Sequence, residues 1–433
     1  MRSAQRSVPP EADPVSYQPR AVRRAATAGA LGNLIEYYDF SIYAYLAVAI
    51  APQFFPASNP TTSLLATLGV FATAFLARPL GGIFFGRLGD KYGRRTALIA
   101  SVLCMGVAAG VTGLLPTYDQ IGVTAAILLF LARLVQGFST GGEAVGSITY
   151  VYESVPLRRR AFLGSFNYVG SNLGFVAAAI AAGAVTALTT ESQMADWGWR
   201  LPFLLAIPLT LFCLWARLKL EDTPEFADMS RRQDIPTSPV REALSTHRAA
   251  MAQVFGVAAA QGGCLFLGLS YMNIYLSRDL GFDGTQVHWL SALVVAGGVL
   301  LLPLAGWLAG RFGSRRVLLV GFSGMLVTVY PVMTLMGQGS LVLAGVAYLC
   351  YMAWGAIVQA PVGVLFPRLF QPRVRYTGMA IGYNLGSIVA GGTAPYAAAS
   401  LIDGTGNLLS PSFFVMAVCI VGIGTLLSIR KSL

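Results

Sequence analysis

Gly86-Arg87-Leu88-Gly89-Asp90-Lys91-Tyr92-Gly93-Arg94-Arg95 returns 220 residues later, altered, as Gly306-Trp307-Leu308-Ala309-Gly310-Arg311-Phe312-Gly313-Ser314-Arg315-Arg316. In both copies the glycines permit a tight turn, and arginines follow it. A second repeat supports the first. Arg160 and Arg375 each open an apolar run with a glycine shortly after, Gly164 and Gly378, and each run then carries Asn-Leu-Gly, at Asn172–Gly174 and Asn384–Gly386. The chain therefore reads as two related units.

The apolar runs between these landmarks have the length of membrane spans. With 55% hydrophobic residues, 11% charged residues and a mean hydropathy of +0.64, the 433-residue chain is too apolar for a soluble protein. Twelve candidate spans fall at 27–50, 62–86, 96–115, 121–150, 161–187, 201–219, 249–275, 287–310, 316–336, 341–365, 376–400 and 411–429. Barrel strands of about ten residues do not fit such runs. The fold class expected is an all-α membrane protein, with twelve transmembrane helices in two pseudo-symmetric six-helix halves. Residues 1–24 form a polar amino-terminal tail, 25–219 the first half, 220–248 a polar linker and 249–433 the second half. Repeated halves with a site at their interface near the midplane are transporter architecture.

The net charge of +11 is distributed as a topology signal, not as a nucleic-acid footprint. Of the 30 Lys and Arg, all but Arg78, Arg133, Arg200 and Arg278 fall in the tails, in alternate loops or at the span ends that adjoin those loops. That asymmetry predicts both termini in the cytoplasm of a multi-pass plasma-membrane protein. The five cysteines all lie within spans, so no disulfide is expected, and no spacing suggests a metal site or cofactor.

Two carboxylates stand out in the first span, in Gly32-Asn33-Leu34-Ile35-Glu36-Tyr37-Tyr38-Asp39-Phe40. An acid at the centre of a spanning helix costs roughly 3 kcal/mol, so it marks a functional site by default. Helical periodicity puts Glu36, Asp39 and Tyr43 on one face. On the fourth span Arg133, Gln136, Thr140 and Glu143 share a face, with Arg133 and Glu143 about 15 Å apart along the axis. Glu36, Asp39 and Glu143 oppose Arg78 and Arg133, three negatives against two positives. One acid then lacks a full-strength partner, and such an acid is the one a proton can neutralise. Glu143 reads either as a brace for Arg78 or as a direct participant. Spans seven to twelve hold no deep charge; they offer Tyr271, Asn273, Gln359 and Asn384, which more often join helices than bind ligand.

The loop after the second span is similar to the signature loop of the major facilitator superfamily. More narrowly, six stretches resemble its metabolite:H⁺ symporter branch: Glu36-Tyr37-Tyr38-Asp39-Phe40; Arg78-Pro79-Leu80-Gly81-Gly82; Arg133-Leu134-Val135-Gln136-Gly137 with Gly141-Gly142-Glu143; Trp197-Gly198-Trp199-Arg200-Leu201-Pro202-Phe203; Glu221-Asp222-Thr223-Pro224-Glu225-Phe226; and Val374-Arg375-Tyr376-Thr377-Gly378. They run in family order over nearly the whole chain. The resemblance implies that Asp39 faces Arg133, with Asp39 or Glu36 as the proton site. It also implies a cytoplasmic ion-pair latch joining Asp90 and Glu153 to Arg94, Arg95 and Arg160. The second half departs from this pattern: Gly310 replaces the acid of Asp90 and Val364 that of Glu153, so the gate is expected to be asymmetric. Osmosensing relatives carry a long coiled-coil tail, and the chain's end at Leu433 weighs against that role.

The function expected is proton-coupled symport of a small organic solute, most simply a carboxylate, by a monomer that alternates access. Candidate solute-binding residues are Arg78, Arg133, Gln136, Glu143, Tyr43, Tyr271, Asn273, Gln359 and Asn384. A betaine is the zwitterionic alternative, because tyrosines offer faces to a quaternary amine. A proton-driven exporter on the same fold is the other reading. An enzyme is excluded for want of any nucleophile or metal constellation, with His247 and His288 the only histidines. No Gly-Lys-Ser/Thr phosphate loop exists for ATP, and a signalling domain has no room.

Overall fold

A computed structural model of the chain describes residues 18–56 and 60–429. Among the described residues there is no strand. The helices at the twelve expected positions are α1 (Pro19–Tyr45, running on as Ala47–Phe54), α2 (Pro60–Tyr92), α3 (Arg94–Leu114), α4 (Val123–Ser154), α5 (Arg160–Leu188), α6 (Arg200–Leu218), α7 (Arg248–Phe266), α8 (Gly284–Phe312), α9 (Ser314–Met336), α10 (Leu341–Gln359), α11 (Arg375–Gly386) and α12 (Ser410–Ser428). Further helical turns carry α7 to Asp279, α10 to Arg368 and α11 to Thr405. Two short helices, Pro224–Arg231 and Pro239–Thr246, occupy the linker.

Two details differ from the sequence reading. Most of the expected tail, residues 1–17, lies outside the described residues, and α1 starts at Pro19, so residues 19–24 are helical. The first span is also broken, bending by 68° at Leu46, whose φ of −96° and ψ of 5° fall in the bridge region. At 32 residues, α4 extends about 48 Å, longer than the roughly 30 Å hydrocarbon layer, and its far end reaches the arginine-rich loops.

Glycine sets how closely the helices approach. On α4, a Cβ at Gly137 or Gly141 would overlap the Ala74 or Arg78 carbonyl of α2; on α5, one at Gly170 or Gly174 would overlap the Ala30 or Leu34 carbonyl of α1. These small-residue pairs, four apart, bring backbones together where lipid supplies no hydrophobic drive. The repeated turn is also the same in backbone: Gly93 (φ 105°) precedes α3 and Gly313 (φ 90°) precedes α9.

At the basic end, α2 meets α11 and α5 meets α8. A Cβ at Gly86 would lie 2.8 Å from Thr377 Cα, and one at Gly306 would lie 2.6 Å from the Ala161 carbonyl. The two halves are therefore in contact there, along both seams.

Candidate functional site

Glu36 and Asp39 lie on the buried face of α1, each 1% exposed. Neither oxygen of Asp39 has a hydrogen-bond partner, and neither has Glu36 Oε2. Arg133, from α4, is the charged group acting on Asp39, yet among the described residues no ion pair closes between them within 4.0 Å. Its guanidinium instead lies 3.9 Å from the Tyr43 ring and 5.6 Å from Phe203, leaving Nε and Nη2 without acceptors. Arg78, from α2, similarly lies over Phe40 (5.0 Å) and Phe75 (4.6 Å) and acts on Glu36 from there. The site thus holds two acids and two guanidiniums, apposed but not closed into ion pairs. Gln136, one turn along α4 from Arg133, is buried with both amide atoms unpartnered.

Glu143 corrects the sequence reading. Its partner is not Arg78 but Arg217 near the end of α6, which binds it with both terminal nitrogens, Nη1 at 2.7 Å from Oε2 and Nη2 to Oε1. Ser101 donates to the same Oε2 at 2.7 Å, and Arg217 also donates to the Leu98 carbonyl. Around the site the buried charges are therefore three against three, but Glu143 and Arg217 neutralise each other and leave Glu36, Asp39, Arg78 and Arg133 as the open set. Arg217 lies near a helix end, where the sequence pattern reads as a loop cation; its place inside a span was the available signal.

The neutral candidates have other work. Asn384 donates to the Gly141 carbonyl (2.8 Å) and so ties α11 to α4; Asn172 donates to Gln359 Oε1 (3.3 Å), tying α5 to α10. Tyr271 donates to Asp279 at 2.9 Å, Asn273 accepts from Ser291, and Tyr43 donates to the Thr67 carbonyl at 3.0 Å.

The basic end carries a buried ion network. Arg94 binds Glu153 through Nε (3.0 Å) and Nη2 (3.3 Å), and its Nη2 also lies 3.3 Å from Asp90. Asp90 crosses to the other half, accepting from the backbone N–H groups of Tyr376 (3.3 Å) and Thr377 (2.9 Å) in the first turn of α11, where the helix dipole favours an anion. Arg375 crosses the same seam to Glu153 (2.7 Å) and to Glu225 of the linker. Thr223 donates to Glu153 at 2.6 Å. Two expected members differ. Arg160 reaches Glu225 (3.3 Å) instead of Glu153, and Arg95 stays out of the network, donating to the Leu218 carbonyl (2.9 Å). Arg375, Thr223 and Glu225 were missed as members, although each stands in a family-like stretch. On the α5–α8 seam, Gly310 brings no charge; a Cβ there would lie 3.7 Å from the Ala161 Cβ.

Residues 25–238 match the family model described as Sugar (and other) transporter, and residues 254–431 match the one described as Major Facilitator Superfamily. The chain is 34% identical over 425 residues to the proline/betaine transporter of Escherichia coli (strain K12), covering 95% of this chain and 84% of that protein. It is 35% identical over 423 residues to a glycine betaine/proline/ectoine/pipecolic acid transporter of Dickeya dadantii (strain 3937), with the same coverage of 95% and 84%. Its fold is similar to that of a proton:xylose symporter bound to 6-bromo-6-deoxy-D-glucose, with a TM-score of 0.77 at 17% identity over 95% of both chains.

Proposed function

The chain belongs to the major facilitator superfamily of membrane transporters, and on that premise we propose that it is a proton-coupled symporter of a small zwitterion of the proline and betaine class. The names of its relatives support a zwitterion in place of the simple carboxylate expected from the buried arginines. A zwitterion retains that carboxylate and adds a cation.

The observation that carries the coupling is Asp39, buried with both oxygens unpartnered and Arg133 opposite but not closed on it. A buried carboxylate with no donor is held in its charged form only by that guanidinium. A proton on Asp39 leaves two guanidiniums against one carboxylate in the site, and a bound carboxylate then supplies the missing negative charge. Proton and solute thus favour each other's binding, and the empty or fully loaded protein is the form that reorients. The halves, 25–219 and 249–433, rock about this site, both termini face the cytoplasm, and the network of Asp90, Arg94, Glu153 and Arg375 is the latch on that side.

The test is uptake of radiolabelled glycine betaine, proline and simple carboxylates into energised right-side-out vesicles of the plasma membrane, comparing wild type with Asp39→Asn. Accumulation of a zwitterion by wild type that fails in the variant, while the variant still exchanges it, is the expected result. No accumulation of any zwitterion by wild type overturns the reading.

A further inference from the structure

Beside the Asp39–Arg133 pair lies a second set of groups that the coupling step does not use. Phe40 of α1 packs on Phe75 of α2, Arg78 of α2 acts on Glu36 and Tyr37 of α1, and Tyr168 of α5 and Tyr383 of α11 are neighbours of Tyr37. Arg78 lies over the Phe40 and Phe75 rings at 5.0 and 4.6 Å. Tyr37, Tyr168 and Tyr383 are mutual neighbours, and Glu36 and Arg78 both act on Tyr37 and Tyr383. Three polar atoms here are buried without a hydrogen-bond partner: Glu36 Oε2, Arg78 Nε and the Tyr168 hydroxyl. Tyr168 is 5% exposed and Arg78 4%. Orphaned polar atoms from three helices that converge among tyrosine rings, at a seam between the halves, are arranged for a guest that carries both charges.

We propose that these groups form the solute site: the ammonium end rests among Tyr37, Tyr168 and Tyr383 beside Glu36, and the carboxylate end pairs with Arg78. The inference rests on the zwitterion transport proposed above and assigns the solute to the Glu36–Arg78 pair, the proton to Asp39–Arg133. A quaternary ammonium has no N–H to donate, so the ring faces and the charge of Glu36 must recognise it. A secondary amine such as proline's also donates, and the free Glu36 and Tyr168 oxygens can accept.

The test is equilibrium binding of radiolabelled glycine betaine to the purified full chain, with 3,3-dimethylbutanoate as competitor. That compound has the shape of glycine betaine with carbon in place of the charged nitrogen. It is expected to compete at least about tenfold less well than unlabelled glycine betaine. Tyr383→Leu and Tyr168→Leu are each expected to weaken glycine betaine binding about tenfold, and Tyr383→Phe, which keeps the ring, to restore most of it. Equal competition by the carbon analogue overturns the site assignment, and that measurement needs only the wild-type protein. Wild type that accumulates glycine betaine but fails this test sinks the site alone; wild type that neither binds nor accumulates any zwitterion sinks the transport reading with it.

Discussion

Arg375→Gln separates the two halves at one point and lets the latch be measured. Arg375 belongs to α11, is 5% exposed, and binds Glu153 of α4 at 2.7 Å together with Glu225 of the linker. Removing one partner of a buried ion pair costs about 3–5 kcal/mol when the other is left uncompensated. Glu153 keeps Arg94 at 3.0 Å and Thr223 at 2.6 Å, so the lower end applies, about 3 kcal/mol. The Arg94–Glu153 pair lies within one half and survives opening, so the whole loss falls on the state closed at the basic end. That shifts the balance toward opening there by roughly 10²-fold. Thr377, fully buried at the same seam, reports it. In a Thr377→Cys background, in nanodiscs, maleimide modification of that residue, followed by mass spectrometry, should be at least about tenfold faster with Arg375→Gln than without. An unchanged rate would show that the crossing ion pair does not hold the seam, and would refute the latch.

Wild-type uptake should rise as external pH falls, whereas Asp39→Asn should show no such rise and no accumulation above equilibrium, while counterflow in proteoliposomes persists. Arg217→Met should lower the stability of the purified protein by about 3–5 kcal/mol, because Glu143 is left buried and unpaired. The double variant Glu143→Gln/Arg217→Met should recover most of that loss in a thermal-unfolding double-mutant cycle. Gly141→Ala places a Cβ against the Arg78 backbone carbonyl, which cannot move aside like a flexible side chain, so folded yield by gel filtration should fall sharply.

The latch shows where sequence reading stops. Asp90 and Arg94 were legible because the repeated loop marks them, and Glu153 because the family resemblance implies an acid there. Which cations meet which anions was not: Arg160 goes to Glu225 and Arg95 to a carbonyl, while Arg375 arrives from 222 positions beyond Glu153. Likewise Glu143 was read as a brace for Arg78 or a direct participant, but its partner Arg217 is 74 residues away on a different helix, and no local pattern links them.

The sequence by itself determined the spans and the twofold repeat, because a lipid environment allows few backbone solutions and long apolar runs declare which one is used. It also determined that Glu36 and Asp39 are buried, since their helix has nowhere else to put them. Only the tertiary structure decided that Glu143 and Arg217 cancel while Glu36, Asp39, Arg78 and Arg133 stay open. Coulomb interactions and hydrogen bonds act over a few ångströms, and separations that small are fixed by how helices pack, not by how residues follow one another along the chain.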